Sequence, residues 1–158
     1  MMYSILAIDP GVTTGICTAI LTADELVMNV GQHEFPMIGM EEYLERTIDL
    51  RAETNLHIIY EDFQFRNASR SGLNLYPAKL QGVIELISEK NPQVPFYAQQ
   101  PSVQGDKAYF SNDRLRELGI YKRGTEHGRS AQKHLLHWLA FKEGSQYADI
   151  EKLELKLV

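Results

Sequence analysis

Two carboxylates, Asp9 and Glu61, follow apolar runs in the sequence, residues 5–8 and 57–60 respectively. Both runs are typical of buried strands, and the first and fourth strands of a mixed sheet are commonly neighbours, so we expect the two acids to lie close together. Like charges held that close need a cation between them, and Mg²⁺ prefers carboxylate oxygens. Two such ions can drive phosphodiester hydrolysis. The alternative is that each acid only initiates a turn, as Asp before Pro-Gly can.

The apolar pattern also predicts the elements that would position these acids. Strands are predicted at residues 3–9, 15–21, 26–35, 57–61 and 94–99, and helices at 37–53, 73–89, 111–118 and 125–141. This order predicts an α/β fold, with a central mixed five-stranded sheet of three antiparallel and then two parallel strands, flanked by helices. We expect one domain over residues 1–158, in which residues 143–158 form a peripheral C-terminal tail.

Composition and length indicate an ordinary globular domain. The chain has 158 residues, of which 44% are hydrophobic and 23% charged. Its apolar runs are too short to span a bilayer, and the N-terminus has no basic segment followed by an apolar block, so we expect neither a membrane partner nor a secretory signal. A single cysteine, Cys17, suits a reducing compartment. The predicted location is the cytoplasm.

The charges are unevenly distributed along the chain. Residues 1–63 contain two Lys or Arg and eleven Asp or Glu. Residues 64–134 contain eleven Lys or Arg and six Asp or Glu. The net charge of −5 argues against a nucleic-acid partner, but the basic middle third can form a positive surface on one side of the fold. Chance variation among solvated charges is an equal alternative.

Three segments resemble, in the right order, the motifs of the RuvC-type Holliday junction resolvases, which are ribonuclease H-like nucleases. They are AIDPGVTTG at 7–15, the stretch from Tyr60 to Ile87, and the stretch from Pro95 to Leu139. The last of these resembles the compact RuvC-like proteins of bacteriophages. The resemblance implies a homodimeric endonuclease that cuts branched DNA with two Mg²⁺ or Mn²⁺ ions per active site, in the host cytoplasm if a phage encodes it.

The resemblance also implies roles for individual residues. Asp9 would bridge both metal ions and Glu61 would bind one of them. In the family's third motif, an acid or histidine precedes an aspartate by three residues; here His127 takes the first position and Ser130 the second. Neutral histidine suits Mn²⁺ better than Mg²⁺, and serine offers a neutral oxygen where a charged one is expected, so weaker metal binding and a preference for Mn²⁺ are predicted. The site would carry two acids, or three if Glu126 turns in.

Helical spacing places His127, Ser130 and His134 on one face of the last helix, so all three could point at the metal site. For His134 and His137 a purely structural role is the favoured interpretation, since a lone surface or core histidine is more often structural.

Aromatic and cationic side chains after Glu61 could contact a DNA junction, because aromatic rings stack on unpaired bases and cations bind phosphates. Lys107 lies in a loop where the resembled family places a catalytic-site lysine, and its predicted role is to clamp a phosphate. The full set of predicted DNA-binding residues is Phe65, Arg66, Asn67, Arg70, Lys79, Lys107, Arg129 and Lys133.

Two other functions stay open at this point. A RuvC-like protein in which Ser130 replaces the acid could bind branched DNA without cutting it efficiently. DPGVTTG is also similar to the phosphate-binding hairpin of sugar kinases and actin-like ATPases. Those proteins enclose a nucleotide between two such domains, for which this chain is too short, so no nucleotide cofactor is expected.

Overall fold

The structure is a computed structural model that describes residues 2–64, 74–105, 107–141 and 149–158. Its strands and helices are, in chain order, β1 Tyr3–Asp9, β2 Thr14–Leu21, β3 Glu25–His33, α1 Met37–Leu50, β4 Asn55–Glu61, α2 Tyr76–Lys90, β5 Phe96–Gln99, α3 Asn112–Glu117, α4 Glu126–Phe141 and β6 Glu154–Leu157. Two 3₁₀ turns, Pro101–Gln104 and Ile150–Lys152, precede α3 and β6 respectively.

The strands form one mixed sheet in the order β5-β4-β1-β2-β3-β6. β1 pairs antiparallel with β2, and β2 pairs antiparallel with β3. On the other side, β1 pairs in parallel with β4, and β4 in parallel with β5. The predicted α/β class, the antiparallel meander and the two parallel strands are therefore confirmed.

A hydrophobic core covers each face of this sheet, because alternate residues of a strand point to opposite sides. Ile5 and Ala7 of β1 pack in the core beneath α4. Leu6 and Ile8 pack in the core beneath α1 and α2. Burial on both faces explains why β1 is a continuous apolar run, and it makes the end of β1 a rigid position for a polar side chain.

The sheet has six strands where the sequence predicts five. β6 pairs in parallel with β3, with Leu26 opposite Leu155, and Ile150 is buried in the core beneath α4. The C-terminal segment is thus not wholly peripheral, because residues 149–158 complete one edge of the sheet. A four-residue strand in which every residue is exposed or only partly buried carries too little alternation to be distinguished from a tail.

Within the described ranges, no helix is both long enough and apolar enough to cross a membrane. Most predicted boundaries agree with the structure to within three residues. The largest differences concern two helices: α1 ends at Leu50, where the sequence predicts residues 37–53, and α2 begins at Tyr76, where it predicts 73–89.

Candidate active site

Asp9 and Glu61 lie side by side at the carboxyl ends of β1 and β4. The parallel register places Ile8 opposite Tyr60, so the next residue of each strand is one of the two acids. Only 13% of the Asp9 side chain and 18% of the Glu61 side chain is exposed to solvent. The predicted pair of carboxylates is therefore present, and both are largely withdrawn from water.

Burial and the neighbouring Glu61 carboxylate together raise the pKa of Asp9 to about 6. The Ser130 hydroxyl, His127 and His134 favour the ionised form of Asp9 and partly offset this rise. A carboxyl group that is hard to ionise beside a second acid has an unmet requirement for positive charge, which a cation in the cleft would supply.

Helix α4 aims three side chains at the two acids. His127 Nδ1 lies 3.4 Å from Asp9 Oδ2, and His134 Nε2 lies 2.9 Å from Glu61 Oε2. Ser130, between the two histidines on the same face, is buried, and its Oγ has no hydrogen-bond partner of good geometry among the described residues. The predicted common face of α4 is thus turned toward the acids.

His134 is held on its other side by Gln99 at the end of β5. Its Nδ1 lies 2.8 Å from Gln99 Oε1, and the ring is completely buried. This contact fixes the ring so that Nε2 is directed at the Glu61 carboxylate. His134 is therefore part of the site.

Two glycines allow α4 to approach the sheet closely enough for these contacts. A Cβ on Gly15 would lie 1.8 Å from the carbonyl oxygen of His127. A Cβ on Gly128 would lie 2.6 Å from the carbonyl oxygen of Gly31. Sequence reasoning missed this role, although a glycine inside a strand is a signal of close backbone approach.

The acids face a cleft of about 450 Å³ between the β1–β2 turn, α2 and α4. Thr14 closes the turn by donating its hydroxyl to the carbonyl oxygen of Gly11 at 2.9 Å. Glu126 also lines the cleft, at its exposed rim, and is thereby placed where a third acid could act. The remaining lining comes from turn residues and from Asn74, Pro77 and Gln104.

The donor set suits a hard divalent ion in part. Two carboxylates, a buried hydroxyl oxygen and a histidine nitrogen converge on the cleft, which is a mainly oxygen environment. Among the described residues, however, no three His, Cys, Asp or Glu side chains already stand in positions to hold one ion together. Ser130 contributes a neutral hydroxyl oxygen to this donor set rather than a charged one.

The predicted DNA-binding residues are only partly placed. Phe65, Arg66, Asn67 and Arg70 fall outside the described residues. Lys79, in the first turn of α2, is exposed, as is Lys107, which is not among the residues that line the cleft.

Lys133 and Arg129 are placed differently from each other. Lys133 is buried, and its Nζ donates to the carbonyl oxygen of Gln104 at 3.2 Å. The ammonium of Lys133, which is predicted to bind DNA, therefore lies against the 3₁₀ turn Pro101–Gln104 and not on an exposed surface. Arg129 is half-buried and donates to the carbonyl oxygen of Lys122 at 2.8 Å.

Comparison with solved structures identifies the fold. Thermus thermophilus RuvC matches with a TM-score of 0.58 at 15% sequence identity, over 87% of this chain and 95% of that one. The same protein in complex with a Holliday junction substrate matches with a TM-score of 0.58 at 14% identity, over 85% and 94% of the two chains. No family model and no curated protein matches the sequence. The chain has the RuvC-like, ribonuclease H-like fold that its motifs predict.

Proposed function

We propose that this protein is a metal-dependent, structure-selective endonuclease that cleaves branched DNA such as Holliday junctions by two-metal phosphodiester hydrolysis. The observation that carries the proposal is the pair formed by Asp9 and Glu61, two largely buried carboxylates at neighbouring strand ends. The fold shared with T. thermophilus RuvC, which has been solved in complex with a Holliday junction substrate, supports branched DNA as the substrate class.

The proposed cofactors are two Mg²⁺ or Mn²⁺ ions. Asp9 would contact both ions and Glu61 one of them, with His127 and Ser130 as neutral donors. When bound, such ions supply an activated water and stabilise the charge on the leaving oxygen. Because the pKa of Asp9 is about 6 in their absence, its carboxyl must lose a proton before binding, so metal affinity is expected to rise with pH up to about 7.

The protein's own side chains would position rather than transform the substrate. The exposed ammonium of Lys107, in the loop after the 3₁₀ turn, would clamp a phosphate of the bound strand. A homodimer is proposed because the resembled RuvC-type family implies one, with one active site for each of two opposed strands.

The second candidate is a protein that binds branched DNA and cuts it poorly. Ser130 favours this candidate, because its neutral Oγ occupies the buried position on α4 that faces both acids. Such a protein would keep the fold and the basic surface but bind Mg²⁺ too weakly for efficient hydrolysis.

The deciding experiment uses an end-labelled synthetic four-way junction in Mg²⁺ and separately in Mn²⁺, with wild type, Asp9→Asn and Glu61→Gln. The nuclease proposal expects paired nicks in Mn²⁺ that both substitutions abolish. A junction that is shifted on a gel but never cut would identify the binding protein. If the junction is neither shifted nor cut, both candidates are refuted. Light scattering of the same samples tests the dimer.

A further inference from the structure

A second concave surface lies beside α4, with a volume of about 510 Å³. We call it the arginine pocket, and it is lined by Arg116, Gly119, Tyr121, Arg123, Gly124 and Arg129. Three of these six residues are arginines, and no acidic side chain of the described residues lines it. In a chain with a net charge of −5, this concentration of positive charge sets the surface apart.

Two of the arginines are held by the same aromatic ring. The guanidinium carbon of Arg116 lies 4.1 Å from the centroid of Tyr121, and that of Arg129 lies 4.7 Å from it. Arg129 also donates to the carbonyl oxygen of Lys122, while Arg116 is paired at 2.7 Å with the exposed carboxylate of Asp113. The two guanidinium groups are therefore held close together, and because the Asp113 partner of Arg116 is exposed and screened by solvent, the pair can still attract an anion.

The turn between α3 and α4 brings the third arginine to the same surface. Gly119 and Gly124 both have a φ of +72°, a conformation that favours glycine, and a Cβ on either would meet nothing within 4 Å. Arg123 is exposed between them and forms no ion pair with the described residues. The turn thus presents a free guanidinium to a pocket whose glycine rim is open.

We propose that the arginine pocket binds phosphates of the DNA backbone, on a duplex arm of the branched substrate. The proposal rests on the nuclease or binding function above, because it takes DNA as the ligand. Planar guanidinium groups match phosphate oxygens in pairs, and a pre-positioned arginine loses little side-chain entropy on binding. The Tyr121 ring is already covered by two guanidinium groups, so a phosphate fits this pocket better than a stacked base.

The position of the pocket gives it a role distinct from that of the acidic cleft. Arg129 follows His127 by two residues, which turns its side chain about 200° around the helix axis. The pocket and the acids therefore flank opposite sides of the first turns of α4. A duplex arm gripped at the pocket would be oriented across this helix, while another strand of the junction enters the cleft. Such contacts position DNA without reading its sequence.

The test measures binding without cleavage. Wild type and the double variant Arg116→Gln/Arg123→Gln are titrated, in EDTA, into a labelled four-way junction and a labelled linear duplex at several salt concentrations. The matched control is Arg46→Gln, which removes an exposed arginine from α1 on the opposite face of the sheet. Inorganic phosphate, followed by its effect on the melting temperature, is the small-ligand probe.

The expected result is weaker binding of both DNAs by the double variant, by about tenfold near 0.1 M salt. The slope of log K against log salt should become less steep by about 0.9 for each phosphate that the variant no longer neutralises. Arg46→Gln should match wild type. Equal effects of the double variant and of Arg46→Gln would overturn the proposal. Stabilisation by inorganic phosphate without DNA binding would overturn DNA as the ligand. If wild type binds the four-way junction but never cuts it, only the nuclease proposal is contradicted, and the proposal for the arginine pocket stays supported.

Discussion

Gly15 in β2 lies directly beneath the peptide bond of His127 at the start of α4. A Cβ on Gly15 would come within 1.8 Å of the His127 carbonyl oxygen and 2.9 Å of the Gly128 nitrogen. Both are main-chain atoms, so they could move away only if the helix moved. The absence of a side chain at Gly15 therefore sets the depth at which α4 packs, and with it the 3.4 Å separation of His127 Nδ1 from Asp9 Oδ2.

Gly15→Ala is expected to destabilise the protein and displace the start of α4. Overpacking against main-chain atoms should lower the free energy of unfolding by about 2 kcal/mol or more, measured by urea denaturation. The control is Gly82→Ala in α2, where a Cβ would meet nothing within 4 Å, and it should stabilise the helix by up to about 1 kcal/mol. If Gly15→Ala has the same free energy of unfolding as wild type, then α4 can move away from β2 without destabilising the protein.

The strand ends that carry the acids are predictable from sequence because their signal is local. Residues 5–8 and 57–60 are unbroken apolar runs, each followed at once by a carboxylate, and the parallel pairing of β1 with β4 follows from the order of elements. The role of Gly15 was not predictable, because a glycine in a strand indicates a close approach but not which backbone makes it.

Contacts between distant segments account for most of what the sequence left open. His134 meets Gln99 and Glu61, which lie 35 and 73 residues away in the chain. Helical spacing predicts that His134 shares a face with His127 and Ser130, but it does not predict which side chains of β4 and β5 the imidazole meets. The same holds for two lysines that the sequence predicts to bind DNA, since Lys133 is buried and donates to a carbonyl while Lys107 is exposed.

The metal-free protein should become less stable as the Asp9 carboxyl ionises. The pKa of Asp9 is about 6 in the folded state and near 3.8 in the unfolded state, so between these pH values the folded state binds a proton that the unfolded state does not. The free energy of unfolding therefore falls as pH rises from about 4 through 6. Asp9→Asn removes the charge. In EDTA, the free energy of unfolding of Asp9→Asn should equal that of wild type near pH 4 and exceed it by on the order of 2 kcal/mol at pH 7.

Urea denaturation across this pH range measures the difference, with Asp24→Asn in the exposed β2–β3 turn as the control. The control should not reproduce the pH-dependent gain. A difference between Asp9→Asn and wild type that is constant from pH 4 to 7 would contradict a raised pKa at Asp9.

Ser130→Asp should convert the site to one with three clustered acids. We expect Mg²⁺-supported cleavage of a four-way junction to rise by about tenfold or more, because the added carboxylate supplies the anionic oxygen that Mg²⁺ prefers. In EDTA the same substitution should lower the melting temperature, since a third negative charge joins a pair that already repels.

Ser130→Asn separates charge from size, and it should give neither effect. Cleavage rates in Mg²⁺ and Mn²⁺, measured for all three proteins on one junction, provide the comparison. Absence of cleavage in wild type and in Ser130→Asp alike would favour the DNA-binding candidate over the nuclease.

His134→Ala should weaken both metal binding and cleavage, because His134 fixes the carboxylate of Glu61. Nε2 lies 2.9 Å from Glu61 Oε2, while Gln99 Oε1 holds the opposite nitrogen at 2.8 Å, so the ring has one orientation. Loss of a hydrogen-bond partner behind a metal ligand typically costs about 10- to 100-fold in affinity or activity.

His137→Ala is the matched control, since it lies on the same helix but lines a different cavity, beside Tyr97 and Phe141. Calorimetric titration with Mn²⁺ separates a positioning role from a general loss of stability, because only the former weakens binding in protein that remains folded by circular dichroism. If the two alanine variants bind Mn²⁺ equally well, then Glu61 does not depend on His134, and the buried imidazole contributes only packing and a hydrogen bond to the fold.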